Sequence, residues 1–353
     1  MNDIGVNLKR IRLLKDLSLQ EAGKLLKMTA PAVSKYESGL IIPNSNKLID
    51  FANAYDVKVT DLLKVHKSPA MKFNSFRKKK KLTGKRLELL KDIIQDKVAD
   101  YLEVLELSNI SSNTIKLKRY SCGNYQDAEI AAEKFRYDYK LSINQPISDL
   151  INILENIGIV IIQLDNSNNQ FSDFDGLSEI VNGVPVIITL KSKDDGARQR
   201  FTISHELGHL ILAIDSKELD EEKICNVFAG SLLMPRDSVL KEFGNERSFI
   251  NNYELFAFKK EYKVSIAATI YRLKELGIIS DYLFRNLNMM FRKKDEKYHI
   301  IPEESCQFNK LVYKLEANKI ITLNKACELM GVSPDEYYEK NYNYWYKYNN
   351  RFK

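Results

Sequence analysis

Two of the chain's four histidines fall in one pentapeptide, His205-Glu206-Leu207-Gly208-His209. Side chains four apart on a helix share a face, so both imidazoles can reach one tetrahedral zinc ion, Zn2+. Glu206 is then placed to act as general base on a water that the metal acidifies. These residue types at this spacing point to hydrolysis of a peptide bond.

A catalytic zinc takes three protein ligands and leaves one place open, so a third ligand must follow. Asp215, Asp220, Glu221 and Glu222 are the candidates. Asp215 lies six residues past His209, a spacing that requires a sharp turn with glycine where Leu212 stands. The helix is therefore expected to run on and carry Asp215 away. Glu222 is favoured, because it begins a helical pattern over 222–233 and Asn226 lies one turn further on the same face. Asn226 is the expected partner that holds a metal-bound imidazole. Arg198, Arg200 and Tyr271 are candidate donors to a developing oxyanion, and His66 and His299 fall outside the motif.

Positioning such a site requires a packed body. The β-branched runs 157–164 and 185–190 suit strands, and helical patterns at 146–156, 198–213 and 220–233 flank them. That alternation predicts an α+β body with the metal helix in 198–213.

The bulk composition agrees with a folded, multidomain protein. The chain has 353 residues, 44% of them hydrophobic and 29% charged. No apolar run approaches a membrane span, and the opening Met1-Asn2-Asp3-Ile4-Gly5 carries no secretion signal. Cys122, Cys225, Cys306 and Cys327 show no Cys-x-x-Cys spacing and read as free thiols of a cytoplasmic protein. The net charge of +7 is uneven, since residues 1–100 hold 21 Lys and Arg against 11 Asp and Glu. A basic N-terminal part on a near-neutral body predicts a polyanion-binding module.

Residues 5–64 supply that module as five short helical patterns. Val6, Ile11 and Leu14 mark the first, Ser18 caps a second over 19–27, and Thr29 caps a third over 30–38 with Pro31 in its first turn. The fourth covers 45–54, and Thr60 caps a last turn holding Leu62 and Leu63. The link Lys27-Met28-Thr29 is so short that the second and third helices must cross steeply, with Ala22 and Gly23 at the contact.

Those features, with Glu21, Leu26, Val33-Ser34-Lys35-Tyr36-Glu37-Ser38-Gly39, Pro43, Leu48 and Ala52, resemble the Cro/lambda-repressor-like (XRE) helix-turn-helix family over residues 5–65. The resemblance implies that 30–38 is a recognition helix for a double-stranded DNA operator, with Thr29, Ala30, Pro31, Ser34 and Lys35 facing the major groove. Ala30 and Pro31 offer only apolar contact, whereas Ser34 and Lys35 can hydrogen-bond to bases or phosphate. Where the family often carries Gln, this chain has Leu19. The cationic run Arg77–Lys81 then reads as an exposed linker able to touch phosphates. A helical stripe over 83–107 (Leu87, Leu90, Ile94, Val98, Tyr101, Leu105) suits either a homodimer contact or packing on the chain's own body.

Residues 127–279 resemble the ImmA/IrrE-type zinc metallopeptidases. The matching blocks are Phe135-Arg136, Pro146 to Leu150, Leu154-Glu155, Phe174-Asp175-Gly176-Leu177, Pro185 to Ile188, Arg198 to His209, Glu222 to Pro235, and Val264 to Leu273. The resemblance implies a zincin-like fold with Glu222 as third ligand and a regulatory protein, such as a repressor, as substrate. After about residue 282 it weakens, and helical patterns at 323–330 and 334–340 with an aromatic tail from Tyr337 to Trp345 read as packing elements.

The expected organisation is an all-α helix-turn-helix domain (1–67), a basic linker and connecting helix (68–126), an α+β metallopeptidase body (127–281) and a helical C-terminal part (282–353). The expected function is a DNA-binding zinc metallopeptidase that cuts a regulator. The competing readings are a transcription factor using the body as sensor or dimerisation domain, and an antitoxin-like regulator.

Overall fold

The structure, a computed structural model, describes residues 3–64, 69–73, 84–110, 117–166, 170–191, 195–215, 218–291 and 299–349. His66 and the cationic run 77–81 lie outside the described residues. The chain divides into two compact units, Met1–Pro69 with Leu82–Ala99, and Ala70–Lys81 with Asp100–Lys353.

The first unit is all-helical: α1 (Asp3–Leu14), α2 (Leu19–Leu26), α3 (Ala30–Glu37), α4 (Ser45–Tyr55), α5 (Val59–Leu62) and α6 (Lys85–Leu107) as far as Ala99. Ser18 and Glu21 form a reciprocal capping box at α2, and the Thr29 hydroxyl accepts from the Ala32 N–H at α3. A Cβ on Gly23 would meet the Met28 carbonyl at 2.7 Å, so the tight α2–α3 crossing needs glycine there. Leu8, Ile11, Ala22, Val33, Phe51 and Tyr55 close the core, and Arg12 grips Glu37 through two hydrogen bonds of 2.5 and 2.9 Å.

Two local expectations need correction. Val6 is exposed, because the inward face of α1 follows Leu8 and Ile11 with Arg12. Thr60 lies inside α5, whose N-cap is Lys58; the Asp61 carboxylate accepts from the Lys58 N–H at 2.9 Å.

The last two turns of α6, from Asp100, belong to the second unit, where Tyr101 packs on Phe308 and Glu103 pairs with Lys325. Leu90, Ile94, Val98, Tyr101 and Leu105 of this stripe are buried within the chain, and Leu87 is partly covered.

The second unit continues with β1 (Tyr120–Cys122), α7 (Tyr125–Asp138), α8 (Leu150–Ile157), β2 (Val160–Leu164), β3 (Gly176–Val181), β4 (Val184–Leu190), α9 (Gly196–Ile211), β5 (Leu212–Ile214) and α10 (Glu221–Leu233). Helices α11 (Arg236–Phe243), α12 (Asn252–Tyr262), α13 (Ile266–Glu275), α14 (Asp281–Phe291), α15 (Gln307–Ala317), α16 (Leu323–Met330) and α17 (Pro334–Asn349) complete it. The architecture is thus an all-helical N-terminal region, a mixed α+β centre and a helical C-terminal part.

The larger sheet has the order β2-β4-β3, with β2 parallel and β3 antiparallel to β4. Asn182 and Gly183, both at positive φ, make the two-residue turn of the β3–β4 hairpin. One sheet face, carrying Ile161 and Ile187, joins the core that α9 and α10 share with α7, through Ile203, Leu207, Ile224 and Phe228. Among the described residues no helix is long and apolar enough to cross a membrane.

Contrary to expectation, the metal helix does not run past residue 211. Leu212 adopts extended backbone and opens β5, which pairs in parallel with β1. Pairing across that distance overrides the local helical pattern. The C-terminal part is tied into the same unit: Tyr337 is fully buried edge-on against Tyr313, and the segment 299–306 runs against α8, β2 and α9.

Candidate metal centre

The site is built where the middle of α9 meets the start of α10. Gly208 makes that meeting close, since a Cβ there would lie 3.2–3.3 Å from Cys225 and Phe228 of α10. With α10 held so near, its first turn projects onto the two imidazoles of α9. The Nε2 atoms of His205 and His209 are 3.1 Å apart, and Glu222 carboxylate oxygens lie 3.2 and 3.5 Å from them. All three groups offer ligand atoms within 4.8 Å of one another.

Those separations test the fit of a metal directly. Bonds of about 2.0–2.1 Å to a tetrahedral zinc place neighbouring ligand atoms about 3.3 Å apart. Two imidazoles and a carboxylate with such edges fit zinc in both donor type and spacing.

Three consecutive acids at the head of α10 divide the work. The Asp220 side chain caps the helix, accepting from the Glu222 N–H at 3.0 Å. Glu221 accepts from His209 Nδ1 at 2.9 Å, and Glu222 faces both Nε2 atoms. Asn226 Oδ1, one turn further on, accepts from His205 Nδ1 at 2.9 Å. These two acceptors favour the tautomer with the proton on Nδ1, which would leave each Nε2 free to bind a metal. Sequence reasoning treated Glu221 only as a rival ligand; its place beside a helix cap was the available signal for a supporting role. Removing either support, by Glu221→Ala or Asn226→Ala, is expected to lower zinc affinity about 10- to 100-fold, read by competition with a chromophoric chelator.

Glu206 sits on the same helix at 1% exposure, and its Oε2 accepts from the Ser178 hydroxyl at 2.8 Å. Strand β3, absent from the sequence reading, supplies that serine. It also supplies Gly176, where a Cβ would come within 2.9 Å of the Glu206 side chain. The strand thus holds the carboxylate and leaves it room. Cys225 lies beneath the site; burial pushes its thiol up, with Glu221, Glu222 and Glu206 adding to the effect. It remains a neutral thiol that fills the core.

The other sequence candidates are engaged elsewhere. Asp215 accepts from Ser121 across the β1–β5 pair. Arg200 is buried against Glu303, and Arg198 pairs with Asp175 at 2.6 Å. Tyr271 is exposed and stands edge-on to Phe284. In the first unit Thr29, Pro31, Ser34 and Lys35 are exposed along the start and outer face of α3, with Ala30 partly covered.

A family described as IrrE N-terminal-like domain matches residues 154–274, and one described as helix-turn-helix matches residues 8–62. The chain joins an IrrE-like peptidase domain to an N-terminal helix-turn-helix domain. The IrrE-like match contains α9, α10 and β3, and so holds every side chain of the cluster. A curated protein, the radiation response metalloprotease IrrE of Deinococcus radiodurans, is 31% identical over 103 residues. That alignment covers 25% of this chain and 31% of the relative, so this chain matches about a third of the length of that protein. Among solved structures, Bacillus thuringiensis PlcR in complex with the peptide PapR7 and DNA aligns over 97% of this chain and 99% of that one. Its identity is 14% and its TM-score 0.19, too loose a likeness to carry an argument.

Proposed function

We propose that this protein is a DNA-binding regulatory zinc metallopeptidase that cleaves a repressor or related regulatory protein. The observation that carries the reading is the placement of Glu206 beside the His205–His209–Glu222 cluster. A binding-only centre has no use for a buried carboxylate held next to the ligands. His205, His209 and Glu222 would hold the zinc, which when bound would supply Lewis acidity to a water, bringing its pKa towards about 7, and to a peptide carbonyl. Glu206 takes the proton from the attacking water and returns it to the leaving amine. Ser178 fixes one carboxylate oxygen during both transfers, and the buried setting keeps bulk water from competing for the proton.

The helix-turn-helix unit gives the peptidase its address. Helix α3 enters the major groove with Thr29, Ala30, Pro31, Ser34 and Lys35 towards the bases and phosphates. Tethering a slow protease beside DNA-bound regulators raises its encounter rate with them without any change in its chemistry.

The test is direct. Protein carrying one zinc per chain is incubated with DNA-binding regulators from its own host, beginning with any repressor that an adjacent gene encodes, and the products are weighed by mass spectrometry. Cleavage at one bond, lost with a chelator and restored by zinc, supports the reading; regulators left intact under all conditions refute it. Separately, the double variant Ser34→Ala, Lys35→Ala is expected to bind an operator selected from random duplexes at least about tenfold more weakly in gel shifts. Both side chains are exposed, so its melting temperature should not change.

A further inference from the structure

A cavity of about 240 Å³ opens between the N-terminal half of α9, the helix that carries His205 and His209, and the end of β4. Thr202 lines it and stands one helical turn before Glu206 on the same side of α9. Thr189 lines it from β4, paired in register with Gly176, the residue whose missing Cβ makes room for Glu206. The cavity and the carboxylate therefore share one wall.

Its polar groups are unevenly committed. Asp175 is taken by Arg198, and an Asp195 oxygen accepts from the Arg198 N–H as the cap of α9. The donors are less fully used. The Thr189 hydroxyl is 2% exposed and has no hydrogen-bond partner among the described residues. Lys191, at the rim, has no ion pair among the described residues, and Arg198 gives one of its side-chain N–H groups to Asp175. The first turn of α9 adds the positive end of its dipole to the same wall. A buried hydroxyl without a partner is costly, and together with Lys191 and the remaining Arg198 N–H groups it can donate to an incoming acceptor.

We infer that this cavity is the subsite for an acidic side chain, Asp or Glu, of the bound polypeptide. The inference rests on the peptidase reading and names a substrate preference for it. The carboxylate accepts from the Thr189 hydroxyl at the floor and from Lys191 and Arg198 at the rim. Thr202, in the wall of that seat, lies one helical turn from Glu206.

Selection from a displayed random-peptide library on zinc-loaded Glu206→Gln protein tests this without any need for turnover. Asp and Glu are expected to be enriched at one position by about tenfold or more over Asn and Gln. Thr189→Val, nearly isosteric, should cut that enrichment while the melting temperature holds or rises, which a merely structural role would not produce. Lys191→Glu should turn the preference towards Lys and Arg. No acidic enrichment, or an enrichment unchanged in both variants, overturns the subsite. The unmodified protein is run in parallel for cleavage of the same library. Selection of acidic peptides without cleavage of any defeats the peptidase reading alone, and cleavage without acidic preference defeats the subsite alone.

Discussion

Glu206→Gln protein is expected to keep its zinc and its melting temperature while losing turnover by about 10²- to 10⁴-fold. The amide matches the carboxylate in size and can still accept from Ser178, so the packing between α9 and β3 is preserved. What the variant lacks is a group able to take a proton near neutral pH. His205→Ala behaves differently: it removes a ligand atom, so zinc content and activity fall together. Metal analysis beside a cleavage assay separates the two. An E206Q protein that still cuts at the unmodified rate would mean that Glu206 is a packing residue and that the proton moves elsewhere. The effect is large because, in the proposed mechanism, one buried side chain serves both proton transfers.

That prediction could be framed from the sequence because its residues lie within one helix. The spacing of His205 and His209 places them on one face in any helix, and Ser18, Thr29 and Gly23 mark the ends and crossing of α2 and α3 through local chemistry alone. The pieces that escaped notice depend on partners far along the chain. Strands β1 and β5 are three residues each and pair Tyr120 with Leu212, so neither has a local pattern strong enough to announce it. Leu212-Ala213-Ile214 continues an apolar helical stripe and leaves it only because β1 is there to receive it.

Strand β3 is a different case. Asn182-Gly183 between two apolar runs is the strongest short-range hairpin signal, and it would have revealed the strand that holds Glu206. The division of Asp220, Glu221 and Glu222 into cap, partner and candidate ligand was readable only in outline. Which of three adjacent acids faces which nitrogen depends on how α10 meets α9, and Gly208 lets the two helices approach closely through contacts made in three dimensions.

The segment 299–306 was the least legible part, and it carries the second large effect. Arg200, at 1% side-chain exposure, pairs with Glu303 and donates to the Ile147 carbonyl at 2.8 Å. Glu303 also accepts from the Ile151 N–H at 2.9 Å, while its backbone exchanges hydrogen bonds with the Gln199 side chain at 2.8 and 3.0 Å. One residue thus joins the metal helix, the start of α8 and the C-terminal part. Arg200→Met fills most of the volume but leaves the largely covered Glu303 carboxylate without its cation. Breaking a buried pair in this way is expected to cost about 3–5 kcal/mol, measured by urea denaturation of the full chain. Adding Glu303→Gln removes the stranded charge and should recover a large part of the loss, because the amide can still accept from Ile151. Equal losses in the single and double variants would show that the pair is not the link. In that event the Gln199–Glu303 backbone bonds would be what holds the C-terminal part to α9.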